Sequence, residues 1–103
     1  MGELTDNQKL LLAIGLSRGE RIADNKYKNT LLMAEDAKSL YADPHTAHSA
    51  LISMVFKGYI DTTDVPGRFI VVRGSDEIEA KANQLREKRK KREQKLATDF
   101  MDG

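Results

Sequence analysis

The spacing of apolar residues predicts a helix-rich chain that also contains one β-hairpin. Apolar side chains recur every three or four residues over most of the chain, as on one face of a helix. Apolar and polar residues alternate at 59–63, before a Pro-Gly turn, and the β-branched and aromatic run at 69–72 follows it, as in paired strands. The predicted elements are helices at about 5–18, 34–41, 44–57 and from 77 to 97 or beyond, a strand at 30–33, and hairpin strands at 59–63 and 69–72.

The first predicted helix is apolar on most of its sides. We therefore expect it to be largely buried, in part at a contact with a second subunit. Thr5 and Gln8 have the spacing of a capping box at its start, and the same logic places a cap at Asp76 for the last helix. Gly15 either weakens the first helix or marks a close approach to another helix. Residues 20–30 are polar without clear periodicity, which predicts a loop, or a loop that begins with a short helical turn.

The helix predicted at 44–57 has one packed face and one polar face. Asp43 is a good N-cap, Pro44 suits the first helical position, and Gly58 suits the position after the helix end. The outer face carries short, uncharged side chains, most of which can form hydrogen bonds: His45, Thr46, His48, Ser49, Ile52 and Ser53. Because such a face suits insertion into a groove, our first hypothesis is a DNA recognition helix.

Composition indicates one soluble domain. The chain has 103 residues, of which 40% are hydrophobic and 32% charged, and it has no cysteine, which excludes disulfides and thiolate zinc sites. No apolar run has the length of a membrane span, and the N-terminus lacks a signal-peptide pattern. We therefore expect a cytoplasmic protein with no membrane partner.

The net charge of +1 hides a strong asymmetry. Residues 86–95 hold seven of the 17 basic residues and two of the 16 acidic ones, so this segment is +5 and the rest of the chain is −4. A basic segment beside a mildly acidic body favours a polyanionic partner. The candidates for phosphate contact in this segment are Arg86, Arg89, Lys90 and Arg92.

The last helix also carries a heptad-like seam, interrupted by two arginines. It consists of Ile78, Ala82, Leu85, Arg89, Arg92, Leu96 and Phe100. We expect the first half to pack on the body or on a partner subunit. The basic second half is expected to run along solvent or DNA, with Leu96, Phe100 and Met101 forming a second small apolar contact. A pure DNA-binding tail and a solvated, frayed end are the alternatives.

The order of the elements, and residues 31–72 in particular, resembles the winged helix-turn-helix superfamily. The segment Leu-Leu-Met-Ala-Glu-Asp-Ala-Lys-Ser-Leu at 31–40 resembles its second helix, Thr-Ala-His-Ser-Ala-Leu at 46–51 the core of its recognition helix, and Val-Phe-Lys-Gly-Tyr-Ile at 55–60 the entry to its wing. A small domain of this kind with a long terminal helix is similar to dimeric bacterial and archaeal regulators and to plasmid partition adaptors. The implied fold is mainly α with a small β-hairpin (α+β), with a winged helix-turn-helix domain at 1–74 and a basic C-terminal helix at 75–103.

The resemblance implies which side chains meet DNA. The major groove would face His45, Thr46, His48, Ser49 and Ser53, and Arg68 near the hairpin tip would reach a phosphate or the minor groove. Lys57 could contact phosphate as well, or simply favour the helix dipole. Many such helices carry Arg or Lys among the base-reading positions, whereas this one has none before Lys57. Base reading is therefore expected to be weak or to rely on DNA shape and the wing.

The resulting prediction is a non-enzymatic, homodimeric, sequence-specific binder of double-stranded DNA, acting as a transcriptional regulator near the nucleoid without a cofactor. Alternatives are a partition (centromere-binding) adaptor, a DNA-coating architectural protein, and a winged helix that docks a protein or RNA. His45 and His48 lie three residues apart, but no thiol or second histidine pair accompanies them, so a metal site is not expected. A histidine that meets a phosphate would make DNA affinity depend on pH.

Overall fold

The structure, a computed structural model, describes residues 3–23 and 26–102, with side chains described as far as Arg92. Four helices and five short strands form within these ranges. In chain order they are α1 (Asp6–Ser17), β1 (Glu20–Ala23), β2 (Lys26–Lys28), β3 (Leu31–Met33), α2 (Ala34–Leu40), α3 (Pro44–Phe56), β4 (Ile60–Thr62), β5 (Arg68–Val71) and α4 (Asp76–Asp102). The predicted class, mainly helical with a small amount of β structure, is confirmed at this level.

The strands form two antiparallel sheets. The larger sheet has the order β3-β5-β4, so the strand that precedes α2 lies beside the second strand of the later hairpin. The smaller sheet pairs β1 with β2. The prediction of a loop or helical turn over residues 20–30 is therefore wrong, because a hairpin occupies most of that stretch. Every residue of β1 is exposed. Because the strand has no buried face, its sequence lacks the alternation of apolar and polar residues that predicts a strand.

The core is built around α1. Leu11, Leu12 and Ala13 are fully buried, which confirms the prediction of a broadly buried first helix. The Thr5–Gln8 capping box is also present. A Cβ placed on Gly15 would lie 2.5 Å from Cγ2 of Val71, so this glycine marks a close approach of α1 to strand β5 rather than to another helix.

Helix α4 packs its first half against α1. Ile78 and Ala82 are buried and Leu85 is half-buried against the same core, which confirms the predicted packing of this half on the body. The predicted cap at Asp76 is displaced by one residue, since the Ser75 hydroxyl accepts a hydrogen bond from the Ile78 amide at 3.3 Å. The predicted second apolar contact, formed by Leu96, Phe100 and Met101, lies outside the described side chains.

The remainder of α4 extends beyond α1. Arg89 reaches Ser17, the last residue of α1, so residues 90–102 continue past the end of that helix. At 1.5 Å per residue this extension is roughly 20 Å long. Among the described residues, no helix combines the length and apolarity needed to cross a bilayer.

Candidate nucleic-acid interface

The ends of α3 are fixed by local hydrogen bonds. The Asp43 carboxylate accepts from the His45 amide at 3.3 Å and from the Thr46 hydroxyl at 3.1 Å, which confirms the predicted N-cap. At the other end Gly58 adopts φ +80°, as predicted for the residue that stops the helix. A buried hydrogen bond of 3.3 Å from the Gln8 side-chain amide to the Ala50 carbonyl holds the middle of α3 to α1.

The predicted recognition residues lie together on the accessible side of α3. His45, Thr46, His48 and Ser49 are exposed and Ser53 is half-buried, whereas the packed side consists of Ala47, Ala50, Leu51 and Met54. The burial pattern thus matches the two predicted faces. Within the described part of the chain, no group of three or more His, Cys, Asp or Glu side chains is placed to hold a metal ion.

The outer face of α3 also presents an aromatic ring, which the sequence-based site omitted. Phe56 is 86% exposed, although it occupies the last position of a well-ended helix. Successive steps of four, three and four residues connect His45, Ser49, Ile52 and Phe56, so these four form one stripe along the side opposite the core. Helical spacing from Ser49 was the signal that could have identified Phe56. Because Phe56 lies two residues before Gly58, the sequence there indicated only the end of the helix.

The turn between β4 and β5 is anchored beside α2. The Gly67 carbonyl accepts from the Ala34 amide, the first residue of α2, at 2.8 Å, and Gly67 itself has φ +79°. Inside the turn the Thr63 hydroxyl accepts from the Val65 amide at 3.2 Å. Arg68 follows as the first residue of β5, slightly past the predicted tip, and it is exposed. The turn therefore has a fixed position relative to the α2–α3 pair.

A paired arginine and aspartate hold α2 to the end of α1. The Arg18 guanidinium donates to both carboxylate oxygens of Asp36, at 2.6 and 2.8 Å, and the same carboxylate accepts from the Met33 amide at 2.8 Å. The hydrogen bond from Arg18 is the main reason that the pKa of Asp36 lies below its ordinary value. Burial of the carboxylate raises this pKa, and the hydrogen bond from the Met33 amide lowers it further. The hydrogen bond between Arg18 and Asp36 also raises the pKa of Arg18.

The basic residues of α4 do not share one environment. The Arg86 guanidinium donates to the Leu16 and Gly19 carbonyls at 2.6 and 2.9 Å and to the Asn83 side chain at 2.7 Å. Arg89 donates to the Ser17 hydroxyl at 3.2 Å. Lys88, Lys90, Lys91 and Arg92 are exposed. Arg86 thus has partners inside the domain, and the exposed charge begins after it.

The predicted phosphate-contacting groups lie in separate places. Lys57, at the end of α3, donates to the Glu3 carbonyl at 3.1 Å, just before α1 begins, whereas Arg89 contacts the last residue of α1. These two points are separated by the length of α1, roughly 18 Å. The structure therefore does not bring the basic half of α4 next to Lys57.

Comparison of the chain with protein-family models, with curated proteins and with solved structures gave no match. The geometry defines an α+β fold.

Proposed function

We propose that this protein is a double-stranded DNA-binding protein of the winged helix-turn-helix type, with domain 1–74 carrying the binding face and α4 (Asp76–Asp102) serving as an accessory basic helix. The observation that carries the proposal is the uncovered outer face of α3. It presents short hydrogen-bonding side chains, and its backbone is fixed by a capped N-terminus, a glycine stop and the buried bond from Gln8. A rigid helix with such a face suits the width of the major groove.

The β4–β5 turn supports the same proposal. Its anchoring to the first residue of α2 gives it a fixed position beside the helix pair, and the exposed Arg68 follows it directly. In the proposed complex Arg68 contacts the DNA backbone. The exposed basic residues of α4 supply further phosphate contacts and counterion release. Arg86 is left out of this set, because its guanidinium already serves three acceptors in the domain.

The proposed biological role is a homodimeric transcriptional regulator. A dimer would present two copies of α3 about 34 Å apart on one face of DNA and would recognise a palindromic or repeated site. A partition adaptor would use the same contacts for a different purpose. A DNA-coating protein would instead depend mainly on residues 86–95 and bind every sequence alike.

Fluorescence anisotropy tests the proposal. The protein is titrated onto duplex DNA from upstream of its own gene and onto an unrelated duplex, at low and at physiological salt. We expect preferential binding to the upstream duplex that persists at physiological salt. The double variant His48→Ala/Ser49→Ala should lose the preference, whereas Gln84→Ala, an exposed polar residue on the body half of α4, should keep it.

The other outcomes are informative as well. Equal, salt-fragile binding of both duplexes would support the coating protein, in which case neutralising the exposed Lys88, Lys90, Lys91 and Arg92 should abolish binding. Absence of binding to either duplex would refute the DNA-binding proposal.

A protein-interaction module is the second candidate function. The exposed ring of Phe56 favours it, since aromatic anchors are enriched at protein interfaces, and so does the absence of a lysine or arginine between Pro44 and Phe56. An apolar protein contact predicts little change of affinity with salt, whereas several phosphate contacts predict a steep loss.

A further inference from the structure

The outer stripe of α3 changes chemistry along its length. His45 and Ser49 occupy the half nearer the helix start, and both can exchange hydrogen bonds. Ile52 and Phe56 occupy the other half and are apolar. Ile52 is half-buried, whereas Phe56 is 86% exposed. The stripe therefore offers a polar contact at one end and an apolar contact at the other.

The ring of Phe56 is held outward by the fold. The amides that follow it close the helix: Lys57 donates to the Ser53 carbonyl at 3.0 Å and Gly58 to the Val55 carbonyl at 3.0 Å. Val55, the preceding residue, packs against the core, which fixes the direction of the last turn. Phe56 thus lies on a rigid backbone without being part of the core, so its ring is free to serve a binding function.

The major groove has one apolar feature, the C5-methyl group of thymine, and phenylalanine is among the side chains that contact it. The bidentate readers of guanine and adenine are Arg, Lys, Asn and Gln, and none of these occurs between Pro44 and Phe56. The stripe also matches the groove in charge. Ser49, Ile52 and Phe56 carry no formal charge, like the base edges that they would meet.

We propose that Phe56 is a specificity-determining residue that reads thymine methyl groups in the major groove, with Ile52 beside it. This inference rests on the proposed DNA-binding function and deepens it by naming the base feature that is read. Ile52 and Phe56 are separated by one helical turn, roughly 6 Å, which is close to two base-pair steps. The preferred sites therefore contain A·T pairs one or two steps apart where the end of α3 lies.

The test compares thymine with uracil, which differs only by lacking the C5-methyl group. Duplexes that bind the wild-type protein are first enriched from a random library, and each thymine is then replaced singly by deoxyuridine. We expect one or two positions at which the replacement weakens wild-type binding about fourfold, the equivalent of one buried methyl group. Phe56→Ala should bind the thymine duplex more weakly and should no longer distinguish thymine from uracil at those positions.

The matched control is Ile22→Ala, which removes another exposed apolar side chain, 60% accessible, from strand β1 outside the proposed interface. It should retain both the affinity and the uracil penalty of the wild type. Circular dichroism melts should show that both variants are folded, since neither side chain belongs to the core.

The possible failures are distinguishable. If duplexes are enriched but no uracil replacement weakens binding, or if Phe56→Ala keeps the penalty, the assignment of Phe56 is wrong while DNA binding stands. If no duplex is enriched, the proposed function itself fails and the thymine assignment falls with it. In that case, crosslinking of a protein partner that Phe56→Ala abolishes would identify the ring as an anchor in a protein interface.

Discussion

Replacing Arg86 by alanine should destabilise the fold without weakening DNA binding per folded molecule. Arg86 donates from one nitrogen to the Leu16 and Gly19 carbonyls at 2.6 and 2.9 Å. These carbonyls lie at and just after the end of α1, where a helix has acceptors without intrahelical donors. The guanidinium therefore closes the end of α1 from a residue on α4, and its positive charge also complements the negative end of the α1 dipole.

The expected magnitude follows from these bonds. A hydrogen bond to a charged group typically contributes about 1.5–3 kcal/mol. The full contribution of both bonds is not expected, because Arg86 is half-buried and the Leu16 carbonyl retains the Gly19 amide as a donor at 3.1 Å. We therefore expect Arg86→Ala to lower the free energy of unfolding by about 2–3 kcal/mol. For a domain of this size that corresponds to a fall in Tm of roughly 10–20 °C.

Urea and thermal denaturation, followed by circular dichroism, measure the effect. Arg86→Lys is the informative companion, because it keeps the charge and much of the stem, but a single amine cannot reproduce the planar fork of donors. It should recover part of the loss. Lys90→Ala removes an exposed charge from the same helix and should change the free energy of unfolding by less than about 0.5 kcal/mol.

Two results would refute the reasoning. One is an Arg86→Ala variant as stable as the Lys90→Ala control, which would mean that the contacts with the end of α1 contribute little. The other is a decrease of about one in the slope of log affinity against log salt, the signature of a lost phosphate contact. That outcome would support the sequence-based prediction that Arg86 binds DNA.

Features set by neighbouring residues could be predicted from the sequence. The N-cap of α3 depends on Asp43 bonding to residues two and three positions later, and the capping box of α1 spans Thr5 to Gln8. The outer face of α3 follows from helical periodicity alone. Because these signals act within one or two turns, the sequence carries them without knowledge of the rest of the fold.

Features set by contacts between distant residues could not be predicted. The β1–β2 hairpin lacks an apolar face, and Tyr27 on β2 donates to Glu79 on α4 at 3.1 Å, a contact that spans 52 residues. Arg86 reaches carbonyls 67 and 70 residues away. In the sequence it is one basic residue in a basic run. Its position four residues after Ala82 places it beside the packed face of α4, but that spacing does not identify the carbonyls to which it donates. Tertiary contacts therefore decide which charges of α4 remain available to a partner.

Two remaining predictions concern packing and pH. Gly15→Ala should lower the free energy of unfolding by about 1–3 kcal/mol in a thermal melt, despite the better helix propensity of alanine. The reason is that the added methyl group would meet Val71 at 2.5 Å, and an unchanged Tm would contradict this. Asp36 has a lowered pKa in the folded state, so its ion pair with Arg18 contributes stability above the unfolded-state pKa of about 3.9 and loses it as pH falls through the lower folded value. Urea midpoints measured between about pH 5 and pH 2 should therefore fall more steeply for the wild type than for Asp36→Asn, and equal slopes would show that the pair is not coupled to folding.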